Sequence, residues 1–526
     1  MNLNIRERYQ KVLQSCEEIA SRSVRAIAKA TGISKSSVHR HLKTKSRQQQ
    51  YPESHLWETE EGEKWLKLLV FAVIYCFGIK GGIGVGSLSA FLHMLHLEQH
   101  IGCSPSAIGK LEAQVKTKII AYEQEQSKVY QSEKAIGICV GADETFFGLP
   151  ILVAVELASG FIFSEAVCEN RTYDTWWQQV SSWFNPEQWK CHFMVSDGAK
   201  ALIKLALSGL NCPSVPDLFH LMRDLSKSMG AAISLQQARL QKEQVALIAQ
   251  TSPESKTRLK EVQAENLKIE TAHQDYQKSL HALSQSIHPF HLDTGESLLG
   301  MELPSHLQPH LFTLEQLSQS YAPAKSQAAL ERWKRLIPNL SGLLHAWWHW
   351  VLQSLRSQTQ DPDIQNWVLD CLLPWVYWHQ QSQKTRQPQL KLRYQQATNL
   401  AHQRFLAHHF SNTLPILEQQ HWLDWAVWIC TKFQRTSSAV EGRNGYLAAL
   451  HHSNRGFTPL TLKVLTIIHN FDIKRADGSS PAQRLFLQPF PDLFEWLLPQ
   501  MPLLPRPRRT LKTKKSKNPI LQAVPL

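Results

Sequence analysis

Three acids far apart in this 526-residue sequence, Asp143, Asp197 and Glu441, have the types and settings that suit metal chemistry. Asp143 lies near the end of an apolar stretch, residues 136–147 (IGICVGADETFF). In strand geometry Gly137, Cys139, Gly141 and Asp143 point one way, and Ile138, Val140, Ala142 and Glu144 the other, so only one of the two adjacent acids can face a given site. A second apolar stretch, residues 191–198 (CHFMVSDG), ends the same way, with Phe193, Val195 and Asp197 on one face. Glu441 lies in QRTSSAVEGRNG, where Ser437 or Ser438 can start a helix and place Glu441 in its first turn beside Arg443 and Asn444. S-x-x-E is also a capping box, in which Glu441 would hold the helix start. The two upstream strand-end acids favour the ligand reading. Three carboxylates brought together repel one another unless cations sit between them. Oxygen ligands of this kind suit magnesium or manganese. A pair of such ions can activate a water or sugar hydroxyl on one side of a phosphodiester and stabilise the leaving oxygen on the other.

The surrounding pattern says what would position these acids. From residue 135 the period changes from helical to alternating, and residues 136–147, 150–157 and 161–168 read as a three-strand meander turning at Ala158-Ser159-Gly160. An amphipathic helix over 172–184 follows, then the Asp197 strand, a helix over 199–207, a short strand near 214–218 and a helix from His220. Three antiparallel strands, helix, strand, helix, strand is the order of a ribonuclease-H-like fold, which sets the ends of the first and fourth strands side by side. The expected fold is therefore an α/β ribonuclease-H-like core, over 131–230 and 431–475, interrupted by a large all-α insertion over 231–430. In the insertion, residues 235–285 read as a helical hairpin broken at Ser252-Pro253, and the Trp-rich remainder buries helix faces through spacings such as Trp422/Trp425/Trp428. One or two of these Trp could instead stack on unpaired bases.

Residues 22–43 read as a helix-turn-helix within an N-terminal DNA-binding region, 1–50. Val24, Ile27 and Ala28 form an apolar face, Thr31-Gly32 the turn, and Val38 and Leu42 the return packing. Lys35, Ser36, Ser37, His39 and Arg40 would then point from the second helix toward a major groove. Residues 43–50 read as a polar linker, and 51–130 as helices broken by GIKGGIGVG, either a second DNA-binding module or a dimerisation pair. The net charge of +13 is concentrated at the ends: residues 1–50 carry +8, residues 501–526 carry +7, and the 450 between them −2. Basic ends around a near-neutral body suit a polyanion such as DNA, although the basic tail over 476–526 is equally readable as solvated chain. Nine cysteines without a C-x-x-C pair argue against a zinc ribbon or disulfide framework and for a reducing compartment. No signal-peptide pattern and no membrane-length apolar run is expected; the longest, residues 65–78, is short for a span. The expected location is the bacterial cytoplasm, with the nucleoid.

On these residues the chain resembles a DDE-type transposase of the bacterial insertion-sequence kind. The resemblance is carried by GADETFFG around Asp143, VSDGAKAL around Asp197 and SSAVEGRNGYLAALHHSNRGF around Glu441, including Val440, Glu441, Asn444, Arg455, Gly456 and Phe457. PDLFHLMRDLSK adds Asp217 and His220 at the spacing of a further motif of such enzymes. The resemblance implies two magnesium or manganese ions held by Asp143, Asp197 and Glu441, with His220 and Arg223 near the scissile phosphate. It implies double-stranded DNA as partner, both the element's end repeats and the target, with Arg443 and Asn444 near it. Synapsis of two ends implies a homodimer or larger assembly. Two departures bear on this: the long interval from Asp197 to Glu441 leaves Asp424 or another acid as a possible third ligand, and the acid adjacent to Asp143, Glu144, is not usually a ligand in such sites, as strand alternation agrees. As a further alternative, His220 could simply cap or pack the helix it begins. A nuclease without strand transfer, a non-catalytic transposon-derived regulator and a scaffold protein are the competing readings.

Overall fold

The computed structural model describes residues 5–19, 23–50, 57, 59–129, 135–250, 252–321, 323–453 and 456–507. Arg455 and the basic residues beyond 507 lie outside the described residues. The protein is mostly helical with one mixed five-stranded sheet, an α/β fold with a large helical part. It divides into two compact units, Met1–Tyr122 with Pro491–Leu526, and Glu123–Phe490. Among the described residues no helix is long and apolar enough to cross a membrane.

The first unit begins with α1 (Ile5–Glu18), α2 (Val24–Thr31) and α3 (Lys35–Gln50). Val12, Ile27, Ile33 and Val38 form their core, with Val24, Ala28 and Leu42 packed against it. Ser23 caps α2 through its hydroxyl, which accepts from Ala26 N at 3.2 Å. Gly32 ends the helix at φ 68°, a left-handed conformation that glycine adopts without a Cβ penalty. The expected linker over 43–50 is instead the continuation of α3, as its Lys, Arg and Gln are good helix formers. The helices Glu60–Val73, Val85–Met94 and Pro105–Gln126 complete the unit together with residues from the C-terminus. Tyr122 Oη donates to Pro491 O at 2.5 Å, and Lys67 Nζ to Met501 O at 2.6 Å. The region expected as a tail from 476 is therefore ordered packing to residue 507: Pro481–Phe486 belongs to the second unit and Leu493–Gln500 to the first.

In the second unit the strands are β1 (Ile136–Phe147), β2 (Leu149–Glu156), β3 (Ile162–Val167), β4 (Trp189–Ser196) and β5 (Ser214–Pro216). The sheet order is β3-β2-β1-β4-β5, with β1–β2–β3 antiparallel and β4 and β5 parallel to β1. The expected insertion is mostly helical, with a non-helical stretch over 286–302 that carries a bridge between Phe290 and Ser297; Ala231–Ile248 and Pro253–Gln285 form the hairpin, Ser252 capping the second helix. One continuous core joins this helical part to a sheet face, running from Cys139, Val153 and Phe193 to Trp333, Trp347 and Trp378. Most of the tryptophans are core. Several of their indoles are satisfied within it: Trp333 donates to Leu221 O at 3.1 Å, Trp347 to Ile429 O at 3.2 Å and Trp348 to Leu298 O at 2.9 Å, whereas the buried indoles of Trp176, Trp189, Trp378 and Trp422 have no hydrogen-bond partner among the described residues.

Two fully buried ion pairs fasten the last segments to the sheet. Glu156 at the end of β2 receives Lys432 at 3.1 Å, as well as the Ser159 N–H and hydroxyl at 2.6 Å each. Burial works against the Glu156 carboxylate, but Lys432 and Ser159 outweigh it and hold its pKa below the usual value. Glu165 of β3 receives Arg443 in a two-pronged pair at 2.6 Å per bond, and Thr466 Oγ1 at 2.9 Å.

Candidate functional site

The site starts at the ends of two neighbouring strands. Gly141 of β1 pairs with Val195 of β4, so two residues further along the same face Asp143 stands beside Asp197. Asp197 begins a tight turn in which its Oδ1 accepts from Ala199 N at 2.8 Å and Gly198 takes φ 85°. Its carbonyl is held from outside the sheet, accepting from Arg332 Nη2 at 2.6 Å, and Arg332 Nη1 pairs with Asp224 at 2.5 Å. Arg332 belongs to the insertion helix Pro323–Gln358. No motif marks it in the sequence, because its role depends on where a helix 135 residues later in the chain is packed.

Glu441 sits in the first turn of Ser438–His452, as expected. That helix lies directly on β1: a Cβ built on Gly141 would meet Leu157 Cδ2 at 2.4 Å and Val440 Cγ2 at 3.1 Å. The capping-box alternative is not what forms, since Ser437 makes no side-chain cap bond. Instead Ser437 donates both its N–H, at 3.0 Å, and its hydroxyl to Asp217 Oδ2. Asn444, one turn beyond Glu441 on the same helical face, donates to Asp143 Oδ2 at 3.2 Å. Glu441 is thereby carried on the face that meets the two strand-end acids.

Asp217 is the most constrained acid here. It is buried, caps the helix Leu218–Leu225 by accepting from Phe219 N at 2.7 Å, and lies 3.3 Å from His220 Nδ1, an ion-pair contact more than an aligned hydrogen bond. His220 Nε2 is 3.8 Å from Glu441 Oε1. Leu218 N also donates to Arg435 O at 3.0 Å, so the His220 helix and the segment leading to Glu441 are joined through backbone as well as side chains. The ligand atoms of Asp217, His220 and Glu441 lie within 4.8 Å of one another. Both Asp217 oxygens are already acceptors, so the arrangement is better described as a carboxylate that holds an imidazole facing Glu441 than as a three-ligand metal cage.

The charges shift accordingly. Burial pushes the Asp143 carboxyl up to about 6, with Glu144 and Asp197 adding to the rise against the Glu144 N–H and His220. Burial also raises Glu441, reinforced by Asp217 and opposed by His220 and Arg223. Asp217 holds the His220 imidazole above its ordinary value against desolvation, and Glu441 and Asp143 act in the same sense. Burial would raise Asp217, but His220 and Ser437 win and its pKa falls. The acids around His220 all favour its protonated form, with Asp217 the largest influence.

The expected site residues divide clearly. Asp143, Asp197, His220, Glu441 and Asn444 come together, although the tight group around Glu441 contains His220 and Asp217, and neither of the strand-end acids. Glu144 points to the other face, where Arg171 pairs with it. Asp424 is exposed and accepts from Gln420 at 2.8 Å, away from this group. Arg443 departs from expectation: it is buried and committed to Glu165, so it is a structural cation with no free donor face for DNA. In the first unit Lys35, Ser36, His39 and Arg40 are exposed on α3, and Ser37 is half-buried, accepting from Arg40 Nη2 at 3.2 Å.

A family of unknown function, DUF6399, matches residues 368–513, a span that contains Glu441 but neither Asp143 nor Asp197. No curated protein and no solved structure matches the chain.

Proposed function

We propose that this chain is a DDE-type DNA transposase, which cuts phosphodiesters at the ends of its element and joins the freed 3′-hydroxyls to target DNA. The observation that carries the reading is the pairing of Asp143 and Asp197 on adjacent parallel strand ends, under the helix that brings Glu441 and Asn444 to the same face. The sheet order and the three-plus-two strand directions agree with a ribonuclease-H-like core. The α2–α3 pair, with its glycine turn and exposed Lys35, His39 and Arg40, suits a helix-turn-helix that reads the element's ends.

The donor set fits divalent magnesium or manganese: it is all oxygen, and Asp143 is strained upward by burial and by two neighbouring carboxylates, which a cation would relieve. Asp143, Asp197 and Glu441 would hold the ions. When bound, such ions supply Lewis acidity at the phosphodiester and make a water or sugar hydroxyl more acidic. The chain's own residues do the positioning. Asn444 fixes one oxygen of Asp143, Arg332 fixes the backbone of Asp197, and Asp217 holds His220 with Nε2 toward Glu441. In its protonated form His220 can donate from Nε2 to a phosphate oxygen. Such an enzyme would work on the bacterial nucleoid, and as at least a dimer if two ends are joined in one event.

The test uses the full chain, magnesium, and labelled duplexes taken from the DNA flanking its own coding sequence. Cleavage with transfer of labelled 3′ ends to a second DNA is expected, and neither should occur with Asp143→Asn. Cleavage without joining would leave a nuclease, and equal activity in the Asp143→Asn variant would remove the mechanism.

A further inference from the structure

A cleft of about 440 Å³ lies beside the strand-end acids, lined by Asp224, Lys227, Ser228, Lys325, Arg332 and two alanines. Its walls are the continuation of the His220 helix and the first third of the Pro323–Gln358 helix. Arg332 ties this cleft to the site, since the same guanidinium that lines it donates to the Asp197 carbonyl at 2.6 Å. The one acid, Asp224, is already neutralised by Arg332 at 2.5 Å. Lys227 and Lys325 are exposed and make no ion pair among the described residues, so both ammonium groups face solvent at the cleft.

We propose that this cleft binds backbone phosphates of the DNA strand that runs away from Asp197 and His220; the identity of the polyanion rests on the transposase reading above. Lys227 is seven residues beyond His220, about 10 Å along a helix. A DNA strand presents a phosphate roughly every 3.4 Å of duplex axis, so Lys227 and Lys325 meet the strand about two or three phosphates from the one at the acids. An ammonium suits this role because it neutralises a phosphate without demanding a fixed base sequence. The insertion then acts as a clamp on the strand, in addition to covering one face of the sheet.

The experiment is residue-resolved lysine labelling of the full-length protein by an amine-acylating reagent, read by mass spectrometry, in chelator so that no cleavage occurs. With duplex DNA at about ten times its dissociation constant, the free population falls to roughly a tenth and labelling of Lys227 and Lys325 slows about tenfold. Lys35 is the marker for binding by the N-terminal helices. Lys256 and Lys260, exposed near the tip of the helical hairpin, should keep their rates. Unchanged rates at Lys227 and Lys325 while Lys35 slows would overturn the cleft assignment and leave the transposase reading standing. Slowing at Lys256 and Lys260 as large as at the cleft would overturn it as non-specific coating. Slowing by inorganic phosphate but not by DNA would assign the cleft to a small anion and overturn it as a DNA contact. Slowing at the cleft alongside a negative cleavage assay would keep the DNA contact and remove the enzyme.

Discussion

Replacing Asp217 by Asn tests whether this buried carboxylate organises the site or merely fills space. The change conserves shape and removes one charge. The carboxylate accepts from Phe219 N, from Ser437 N and hydroxyl, and faces His220 Nδ1. An amide has one acceptor oxygen. If it stays toward Ser437, its NH₂ is aimed at the Phe219 N–H, and the helix cap, about 1 kcal/mol, is lost. The two Ser437 bonds then go to a neutral acceptor, each weaker by about 1 kcal/mol. The reversed amide keeps the Phe219 cap but leaves the buried Ser437 N–H facing an NH₂ with no acceptor, while the Ser437 hydroxyl can only turn to accept from that NH₂. Either way the cost is roughly 3 kcal/mol, and Ser437→Ala, which removes only the hydroxyl bond, should cost about half of that. Urea unfolding at neutral pH followed by tryptophan fluorescence is well placed to see it, because Trp333 donates to Leu221 O within the same short helix. Under the transposase reading, metal-dependent cleavage should also fall by about a hundredfold, since His220 loses the partner that orients it. An Asp217→Asn protein with the wild-type midpoint would refute the argument that these contacts hold the Glu441 and His220 helices together.

Further predictions follow from the charges. Magnesium should raise the thermal midpoint of the wild-type chain and leave an Asp143→Asn/Asp197→Asn double variant unmoved, as measured by calorimetry; equal shifts in both would place the ion elsewhere. The depressed Glu156 carboxyl contributes stability that is fully present above its unfolded value near 4.5 and is lost as pH falls through its lower folded value, so Glu156→Gln should show a flatter acid limb in unfolding titrations. Arg443→Ala strands a buried Glu165 and should cost about 3–5 kcal/mol in urea unfolding; DNA affinity of the folded fraction should not change, because Arg443 has no surface to offer.

The alternating apolar stretches that end in Asp143 and Asp197 determined the strands, the facing of each acid and the exclusion of Glu144, because a period of two leaves no freedom once one face is buried. The break at Ser252-Pro253, the glycine turn after α2 and the core role of most tryptophans were likewise local matters of capping, φ and burial. Tertiary structure alone decided the rest. Arg332 reaches Asp197 across 135 residues, and Ser437 leaves its capping role to bind Asp217. Arg443, a cation in a motif that suggested DNA, spends its charge on Glu165. Residues 491–507 pack with the N-terminal unit instead of trailing as a tail. Each of these depends on which distant group comes within about 3 Å, and a hydrogen bond or ion pair of that range leaves no periodic trace in the chain.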